Sequence, residues 1–266
     1  NYIQYVCEKY LDAAVDEYLV AERGAVVVMD VNTGAVLANA VSGDFNPNSP
    51  FTLSDADNAK LETVTDETER SKLKTELLNR QWRNKAVSDT YEPGSVFKIF
   101  TAATALEENL ITKNSSFTCN YSLNVAGQTY HCWKSGGHGT QNLMQAISNS
   151  CNPAFITIGQ LIGVDTFSKY FSAFGLTTKT GIDLPGEASS TYHKKEKMGI
   201  TELSSSSFGQ TFNITPYQTL TIAAAAVNGG YIVQPHVVSE IRDSDNKVVE
   251  TVSTDYKRQV ISNSTS

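Results

Sequence analysis

The sequence is poor in cysteine, in long apolar runs and in basic clusters, and each shortage excludes a class of protein. Four cysteines in 266 residues are too few for a disulfide scaffold. The longest apolar runs, such as residues 222–227, are far too short to span a bilayer. No cluster of lysine and arginine stands out and the formal net charge is −7, so binding to a nucleic-acid backbone is not expected.

The length and the hydrophobic patterns predict one large domain or two small ones of the α+β class, with strands toward both ends enclosing the helices. One hairpin is predicted over residues 25–41, turning at 31–34, and another over 231–252, turning at 243–246. A smaller hairpin is expected between Phe117 and Trp133, and residues 42–60 are predicted to be a loop. Helices are predicted at 3–19 with a buried apolar stripe, in a charged stretch ending near Trp82, and at 95–108, 141–149, 153–162, 165–174 and 215–227.

The segment Ser95-Val96-Phe97-Lys98 is the strongest candidate for chemistry. Residues three apart on a helix share a face, so the serine can hand its proton to the lysine if the lysine is neutral. The surrounding residues are almost all apolar, and burial among them disfavours the charged lysine. Pro93 and Gly94 start the helix, which places Ser95 in the first turn, where backbone N–H groups can stabilise an oxyanion.

The same Ser-x-x-Lys spelling occurs twice more, so the pattern alone is weak evidence. Residues 71–74 match, but they lie in the charged helix, where their lysines are expected to be solvated. Residues 244–247 match in a polar turn that offers no apolar wall. The position at a helix start and the apolar setting therefore favour Ser95.

A serine activated by lysine needs further polar groups, and Ser-x-Asn is the usual second motif. It occurs at 122–124, 150–152 and 244–246. The first is expected in a hairpin loop and the last in a charged turn. Ser150 and Asn152 lie between two apolar helices, with Pro153 starting the second, which predicts that they face the cleft.

Cys119, Cys132, His138 and Cys151 form a possible metal-binding set. A hairpin can bring Cys119 and Cys132 together across its strands, and Cys151 lies in the second motif itself. Three thiolates and one imidazole suit a closed, structural zinc site. A Cys119–Cys132 disulfide and buried free thiols remain alternatives, and His131 is a reserve ligand.

Several longer segments resemble class B penicillin-binding proteins. Residues 83–98 resemble the active-site segment of that family, and 148–159 resemble its second motif. Later signature segments match at 180–187, at 208–210 and at 215–216, and the opening hairpin matches at 28–38. The resemblance covers nearly the whole chain and is closest to the monofunctional division and sporulation type.

The resemblance implies the penicillin-binding, serine β-lactamase-like fold: an antiparallel sheet with helices on both faces plus an all-helical subregion. It implies a peptidoglycan D,D-transpeptidase acting on stem peptides that end in D-Ala-D-Ala and acylated by β-lactams. Ser95 would then be the nucleophile, Lys98 its base and Ser150 the proton relay, while Asn152 would bind substrate amides. No cofactor is implied for catalysis. Related rod-shape transpeptidases resemble this chain around Cys132 and at 137–139, and some bind zinc there.

The resemblance also predicts which part of the family's transpeptidase domain this chain contains. The family's third motif, Lys-Thr/Ser-Gly, follows the segment at 208–210 by many tens of residues, whereas Lys179-Thr180-Gly181 spells it in a different place and is interpreted as a decoy. We therefore expect a single transpeptidase domain over 1–266, incomplete at its C-terminal strands, with an insertion at about 42–82. A membrane anchor before residue 1, placement on the outer face of the bacterial cytoplasmic membrane, and a glycosyltransferase or divisome partner are expected.

Two other functions compete with this interpretation. A β-lactamase-like hydrolase on the same scaffold would need a water-activating base near Ser95, and Glu92 is the nearest carboxylate. A non-catalytic sensor or scaffold would be favoured if the third motif were lost in the native protein. Cys7, His193 and His236 have no evident partners and are predicted to be ordinary packing, loop and strand residues.

Overall fold

The structure is a computed structural model that describes residues 1–20 and 24–266. Its chain contacts divide into two compact units, one of residues 1–28 and 37–88 and the other of residues 29–36 and 89–266. Each unit is described below by itself.

The first unit begins with helix α1 (Tyr2–Glu17), whose N-cap side chain, Asn1, accepts from the backbone N–H of Ile3. The helix was predicted at 3–19 with a buried apolar stripe, and that stripe is only partly buried. Leu11 is buried, whereas Tyr10 and Tyr18 are 66% and 73% exposed. Gln4 at the start of α1 exchanges two side-chain hydrogen bonds with the backbone of Asn39.

Strands β1 (Ala25–Met29) and β2 (Val36–Val41) pair in the predicted opening hairpin. The turn between them is held by the carboxylate of Asp30, which accepts from the backbone N–H groups of Asn32 and Thr33. Such Asx turns are the reason that aspartate is favoured at this position.

Two further helices of the first unit, α2 (Asp55–Glu62) and α3 (Glu67–Trp82), lie inside the predicted insertion. The predicted loop over 42–60 is wrong at its end, because Ser54 caps a helix that starts at Asp55. The two helices bury a small leucine cluster, and the short helix α4 (Lys85–Ser88) follows. The cluster consists of Leu53, Leu61, Leu77 and Leu78.

The second unit is built around an aromatic core. A 3₁₀ turn (Gly94–Phe97) leads directly into α5 (Lys98–Glu107), and helices α6 (Leu143–Ser148) and α7 (Asn152–Ala173) follow. Gly163 breaks α7 with φ 73°, which agrees with the two predicted helices at 153–162 and 165–174. Helices α8 (Ile200–Ser206) and α9 (Pro216–Ala225) complete the helical part. The largest fully buried side chains of this unit include Phe97, Phe100, Phe155, Phe167 and Phe174.

The strands of the second unit form antiparallel pairs. Strand β3 (Ser116–Cys119) pairs with β6 (Gly139–Asn142), and β4 (Ser122–Val125) pairs with β5 (Gln128–His131). Strand β7 (Tyr231–Val233) pairs with β10 (Tyr256–Gln259), while β8 (Glu240–Arg242) and β9 (Val248–Thr251) form the exposed hairpin.

This mixture of helices and antiparallel strand pairs confirms the predicted α+β class. Strand β10 was not predicted. The hairpin expected over 231–252 is shorter than predicted, because it is formed by β8 and β9 alone, while β7 pairs with β10. Among the helices that the structure describes, none combines the length and the apolar character needed to cross a membrane.

Candidate active site

The candidate nucleophile lies on a sharp turn between loop and helix. Gly94 has φ +59°, and Ser95 follows it in the 3₁₀ turn, exposed to solvent. In 3₁₀ geometry residues i and i+3 are eclipsed, so Ser95 and Lys98 face the same way. The Nζ–Oγ distance between them is 3.1 Å. The predicted partnership of these two residues is therefore present as a direct hydrogen bond.

Lys98 is the centre of the polar cluster. Its side chain is buried in an otherwise apolar helix, and its Nζ lies 2.8 Å from the carbonyl oxygen and 2.9 Å from the Oγ of Ser150. It also donates to Oδ1 of Asn152 at 2.8 Å. The Oγ atoms of Ser150 and Ser95 are 2.9 Å apart. The structure thus brings all four predicted residues of the two motifs together.

The electrostatic state of Lys98 follows from its surroundings. Burial disfavours the ammonium form and lowers the pKa of Lys98 to about 8, although Cys151 and Cys132 oppose the shift. No carboxylate is among the described hydrogen-bond partners of Nζ, so its neighbours are hydroxyl, amide and carbonyl groups. With that pKa about a tenth of Lys98 side chains are neutral at pH 7, far more than for an ordinary lysine, and the neutral form is the one that a general base requires.

Ser150 sits at the left-handed end of helix α6. Its φ is +47°, and the backbone N–H groups of Ser150 and Cys151 donate to Ile147 and Ala146, the pattern of a Schellman cap. Glycine is usual at this position because it has no Cβ to strain. A serine here tolerates an unfavourable backbone while its hydroxyl reaches both Ser95 and Lys98.

Gly209, which is distant in the sequence, packs against the turn that carries Ser95. Gly94 N–H donates to the carbonyl of Gly209 at 2.9 Å, and a Cβ added to Gly209 would meet the Gly94 carbonyl oxygen at 2.0 Å. Glu92 accepts from the backbone N–H of Thr211 at 2.8 Å. These supporting roles were not predicted, although Glu92 and residues 208–210 both lie in segments that resemble the family.

The four predicted metal ligands converge beside the site. The ligand atoms of Cys119, Cys132, His138 and Cys151 all lie within 4.8 Å of one another. Cys132 Sγ is 3.3 Å from His138 Nδ1. The chain path differs from the prediction, because Cys119 is on β3, paired with Gly139 of β6, and Cys132 follows β5. The two cysteines are not opposite each other on one hairpin.

The close approach behind this cluster requires glycine at one position. A Cβ on Gly137, which has φ +77°, would come within 2.2 Å of the Cys119 carbonyl oxygen. The loop before β6 can therefore fold tightly over β3 and deliver His138 to the cysteines. His138 Nε2 is buried and finds no hydrogen-bond partner among the described residues. A buried polar atom of this kind fits a metal-binding histidine, since such atoms are otherwise costly.

In the metal-free cluster His138 and Cys119 are shifted toward the deprotonated forms that bind metals, whereas Cys151 is shifted toward the protonated thiol. Burial, with Lys134 nearby, lowers the pKa of His138, which favours the neutral imidazole that binds metals. Burial raises the pKa of the Cys151 thiol to about 12. For Cys119, burial acts in the same direction, but hydrogen bonds from the backbone of His138 and Tyr121 and from the thiols of Cys151 and Cys132 together outweigh it and lower the pKa. All three cysteines of the cluster are free thiols rather than disulfides.

The alternative motif matches fall elsewhere. Ser244 to Asn246 form the turn between β8 and β9, held by the Asp243 carboxylate, as predicted. Ser122 is the first residue of strand β4, so its predicted place in a hairpin loop is wrong. Lys179-Thr180-Gly181 lies in a loop where the backbone and hydroxyl of Thr180 donate to Glu187, which agrees with its interpretation as a decoy.

The comparison with known families agrees with this geometry. The sequence profile described as "Transpeptidase: Penicillin binding protein transpeptidase domain" matches residues 24–266. The chain belongs to this family. The family resemblance predicted from the motifs is thereby confirmed.

Curated relatives within the penicillin-binding family include two named proteins. The chain is 35% identical over 266 residues to stage V sporulation protein D of Bacillus subtilis, covering 99% of this chain and 38% of that protein. It is 31% identical over 240 residues to peptidoglycan D,D-transpeptidase MrdA of Acinetobacter baumannii, covering 86% and 34%. The chain thus spans less than half the length of these two relatives.

A solved penicillin-binding protein has the same fold. Penicillin-binding protein 3 of Mycobacterium tuberculosis, crystallised with aztreonam, superposes with a TM-score of 0.81 at 24% identity. The match covers 99% of this chain and 53% of that one. The predicted transpeptidase fold is therefore confirmed.

Proposed function

We propose that the protein is a serine D,D-transpeptidase that cross-links peptidoglycan stem peptides and is acylated by β-lactams. The observation that carries the proposal is the connected set of Ser95, Lys98, Ser150 and Asn152, in which each distance is 2.8–3.1 Å. The family match and the name of the Acinetobacter relative support the reaction class. The Bacillus relative supports a role in sporulation, a special case of cell-wall synthesis.

The reaction begins with proton transfer from the Ser95 hydroxyl to the neutral amine of Lys98. Ser95 Oγ attacks the carbonyl carbon of the penultimate D-Ala, and the N-terminal end of the helix stabilises the charge that develops on the carbonyl oxygen. The C–N bond then breaks, and the proton passes from Lys98 through the Ser150 hydroxyl to the leaving D-Ala amine. The product is an ester between the donor peptide and Ser95.

The second half of the reaction releases this ester. An amino group of a second stem peptide attacks the ester carbonyl and loses a proton toward Ser150 and Lys98, while Ser95 Oγ regains a proton as it leaves. Asn152, held by Lys98, is placed to bind an amide of the donor peptide. A β-lactam follows only the first half, because its leaving nitrogen remains tethered in the opened ring and blocks the acceptor.

The position of Glu92 argues against the β-lactamase alternative. A hydrolase needs a base that activates water at the acyl-enzyme. The Glu92 carboxylate instead accepts from the Thr211 backbone N–H across the nucleophile turn. We therefore assign it a structural role in this transferase.

The lifetime of the benzylpenicillin adduct tests this assignment. Intact mass spectrometry after a short incubation and removal of free drug should show one adduct per chain that persists for many minutes. The Glu92→Gln variant should lose the adduct no more slowly than the wild type. Rapid loss from the wild type, slowed in Glu92→Gln, would instead identify a hydrolase that uses this carboxylate.

The proposal extends to a structural zinc ion held by Cys119, Cys132, His138 and Cys151. Three thiolates and one imidazole are a closed zinc donor set, and the four ligand atoms already lie within 4.8 Å of one another. Zinc would supply a cross-link and no catalytic chemistry. Because Cys151 lies between Ser150 and Asn152, the cross-link would fix the second motif to strands β3 and β5.

Metal analysis tests the zinc proposal. Protein purified with zinc present should carry one zinc per chain, and Cys119→Ser should carry much less. Cys7→Ser is the matched control, since Cys7 lies on α1 outside the cluster and its loss should leave the zinc content unchanged. A Cys119→Ser variant with wild-type zinc content, or a wild type with none, would contradict the proposal.

The cellular setting is proposed from the same family relationship. The protein is placed on the outer face of the bacterial cytoplasmic membrane, anchored by an N-terminal segment outside this chain, beside a membrane glycosyltransferase or divisome partner. Peptidoglycan is found there, which supports the placement. A penicillin carrying a membrane-impermeant dye should label the protein in intact protoplasts, and labelling only after lysis would contradict it.

A further inference from the structure

Gln141 is a buried amide beside the second motif. It is 3% exposed and lies on strand β6, where it pairs with Phe117 of β3. Its Oε1 accepts from Nδ2 of Asn149 at 3.1 Å. Asn149 is held at a second point, because its carbonyl oxygen accepts from Nε1 of Trp133 at 2.8 Å. The residue directly before Ser150 is therefore held by two side chains that lie outside its own helix.

The same amide also contacts the residue directly after Ser150. Gln141 lies opposite Phe117, two residues before Cys119 on β3, so its side chain shares the buried face of Cys119. The sulfur atoms of Cys119 and Cys151 lie within 4.8 Å of each other. Burial raises the pKa of the Cys151 thiol, and a polar contact from the Gln141 side chain opposes that rise. One side chain thus contacts both neighbours of Ser150.

The contact with Cys151 is incomplete in the metal-free cluster. Nε2 of Gln141 is buried and has no hydrogen-bond partner among the described residues. A buried N–H group without a partner is unfavourable. A thiol sulfur is only a weak acceptor, which explains a polar contact that falls short of a hydrogen bond. A zinc-bound thiolate is a charged acceptor, and hydrogen bonds to charged acceptors are stronger.

We propose that Gln141 is a positioning residue for the second motif, with its Oε1 holding Asn149 and its Nε2 donating to the zinc-bound sulfur of Cys151. This bridge between the two neighbours of Ser150 keeps the Ser150 hydroxyl at its distance of 2.9 Å from Ser95 Oγ. The bridge rests on the proposed transpeptidase function and on the proposed zinc ion, because it acts through the relay hydroxyl and through a zinc ligand.

The kinetics of acylation by benzylpenicillin test the positioning role. Gln141→Met keeps an unbranched side chain but removes both polar contacts. We expect the maximal acylation rate to fall about tenfold, because a displaced relay hydroxyl slows the chemical step. The half-saturating drug concentration should change less than about twofold. Gln128→Met, the same substitution at an exposed position of β5, is the matched control and should have wild-type kinetics.

These kinetics separate the bridge from the proposed function. An acylated wild type with an equally fast Gln141→Met variant would overturn the bridge alone, as would a loss confined to the half-saturating concentration. A wild type that is not acylated would overturn the proposed transpeptidase function as well.

A double-mutant cycle shows whether Gln141 acts through Asn149. Asn149→Ala breaks the contact between them from the other side and should also slow acylation. The Gln141→Met, Asn149→Ala double variant should be slowed by less than the product of the two single effects, because both changes remove one shared contact. Single effects that multiply in the double variant would overturn this link.

Cobalt substitution reports the contact with Cys151 directly. Co²⁺ bound in place of zinc gives a thiolate-to-cobalt charge-transfer band, and an N–H···S hydrogen bond raises its energy by stabilising the sulfur lone pair. Gln141→Met should therefore shift the band to lower energy, while the visible d–d bands of tetrahedral cobalt stay unchanged. A band at the wild-type energy would overturn the contact. An acylated wild type that binds no cobalt would overturn both the contact and the metal site.

Discussion

Ser150 combines a left-handed backbone with a hydroxyl that contacts two other members of the site. Its φ of +47° belongs to a region that glycine occupies freely and that other residues enter at a cost of about 1 kcal/mol or more. The hydroxyl lies 2.9 Å from both Ser95 Oγ and Lys98 Nζ. Folding alone would favour glycine here, and only the chemistry favours serine.

Replacing Ser150 should therefore separate stability from reactivity. Ser150→Gly is expected to raise the free energy of unfolding by about 1 kcal/mol and to slow acylation by benzylpenicillin at least tenfold. Ser150→Ala is the control, because it loses the same hydroxyl but keeps the strained backbone and should gain no stability. Denaturant unfolding and time-resolved mass spectrometry measure the two effects. A glycine variant no more stable than the alanine variant would contradict this account.

The pKa of Lys98 predicts how acylation depends on pH. In the proposed mechanism the neutral amine is the active form, and burial lowers the pKa of Lys98 to about 8. Below that value the neutral fraction, and with it the acylation rate, should rise about tenfold per pH unit. Above it the rate should level off. Rates measured between about pH 6 and 9.5, corrected for spontaneous hydrolysis of the drug, test this, and a profile that is flat or falls with pH would contradict it.

At this scale the sequence identifies residue types better than it identifies conformations. Ser95 and Lys98 could be predicted because a spacing of three on an apolar helix has a direct chemical meaning. The left-handed state of Ser150 could not, since it depends on where α6 ends and which carbonyl groups its cap satisfies.

Among the elements, the turn that carries Ser95 depends on contact with the segment around Gly209. The Gly94 carbonyl oxygen occupies the space that a Cβ on Gly209 would need. Any side chain there must displace the backbone directly before the nucleophile.

The Gly209→Ala variant should lose acylation by at least tenfold and be destabilised by about 1–3 kcal/mol, the usual range for overpacking. Gly127→Ala is the matched control: its φ of +86° is close to the +89° of Gly209, but an added Cβ would meet no described atom within 4 Å. It should show only the backbone cost and acylate at the wild-type rate. Equal rates for the two variants would show that the contact with Gly94 is unimportant.

The strand pairings also show which contacts can be predicted from the sequence. Hairpins with strong local turn signals, such as the one over 25–41, could be predicted because the interactions are local. The pairing of β3 with β6 joins segments about twenty residues apart and carries no local turn signal, so the route by which Cys119 meets Cys132 was predicted wrongly. Helix α1 was predicted from its periodicity, yet only Leu11 of its apolar stripe is fully buried.

For the whole molecule, several distant segments must meet for the site to exist. Ser95 and Lys98 come from one segment, Ser150 and Asn152 from another about 55 residues later, and Gly209 from a third. The sequence could predict this assembly only through the family resemblance, because composition and periodicity do not specify long-range contacts. The family match over residues 24–266 confirms that resemblance.

The central claim is that Ser95 is the residue acylated. The direct measurement is intact mass spectrometry of the wild type, Ser95→Ala and Ser71→Ala after incubation with benzylpenicillin. Ser71 is the control because it begins the same Ser-x-x-Lys spelling on the exposed face of α3. We predict one adduct on the wild type and on Ser71→Ala, and none on Ser95→Ala. An adduct that survives in Ser95→Ala, or no adduct on the wild type, would contradict the account.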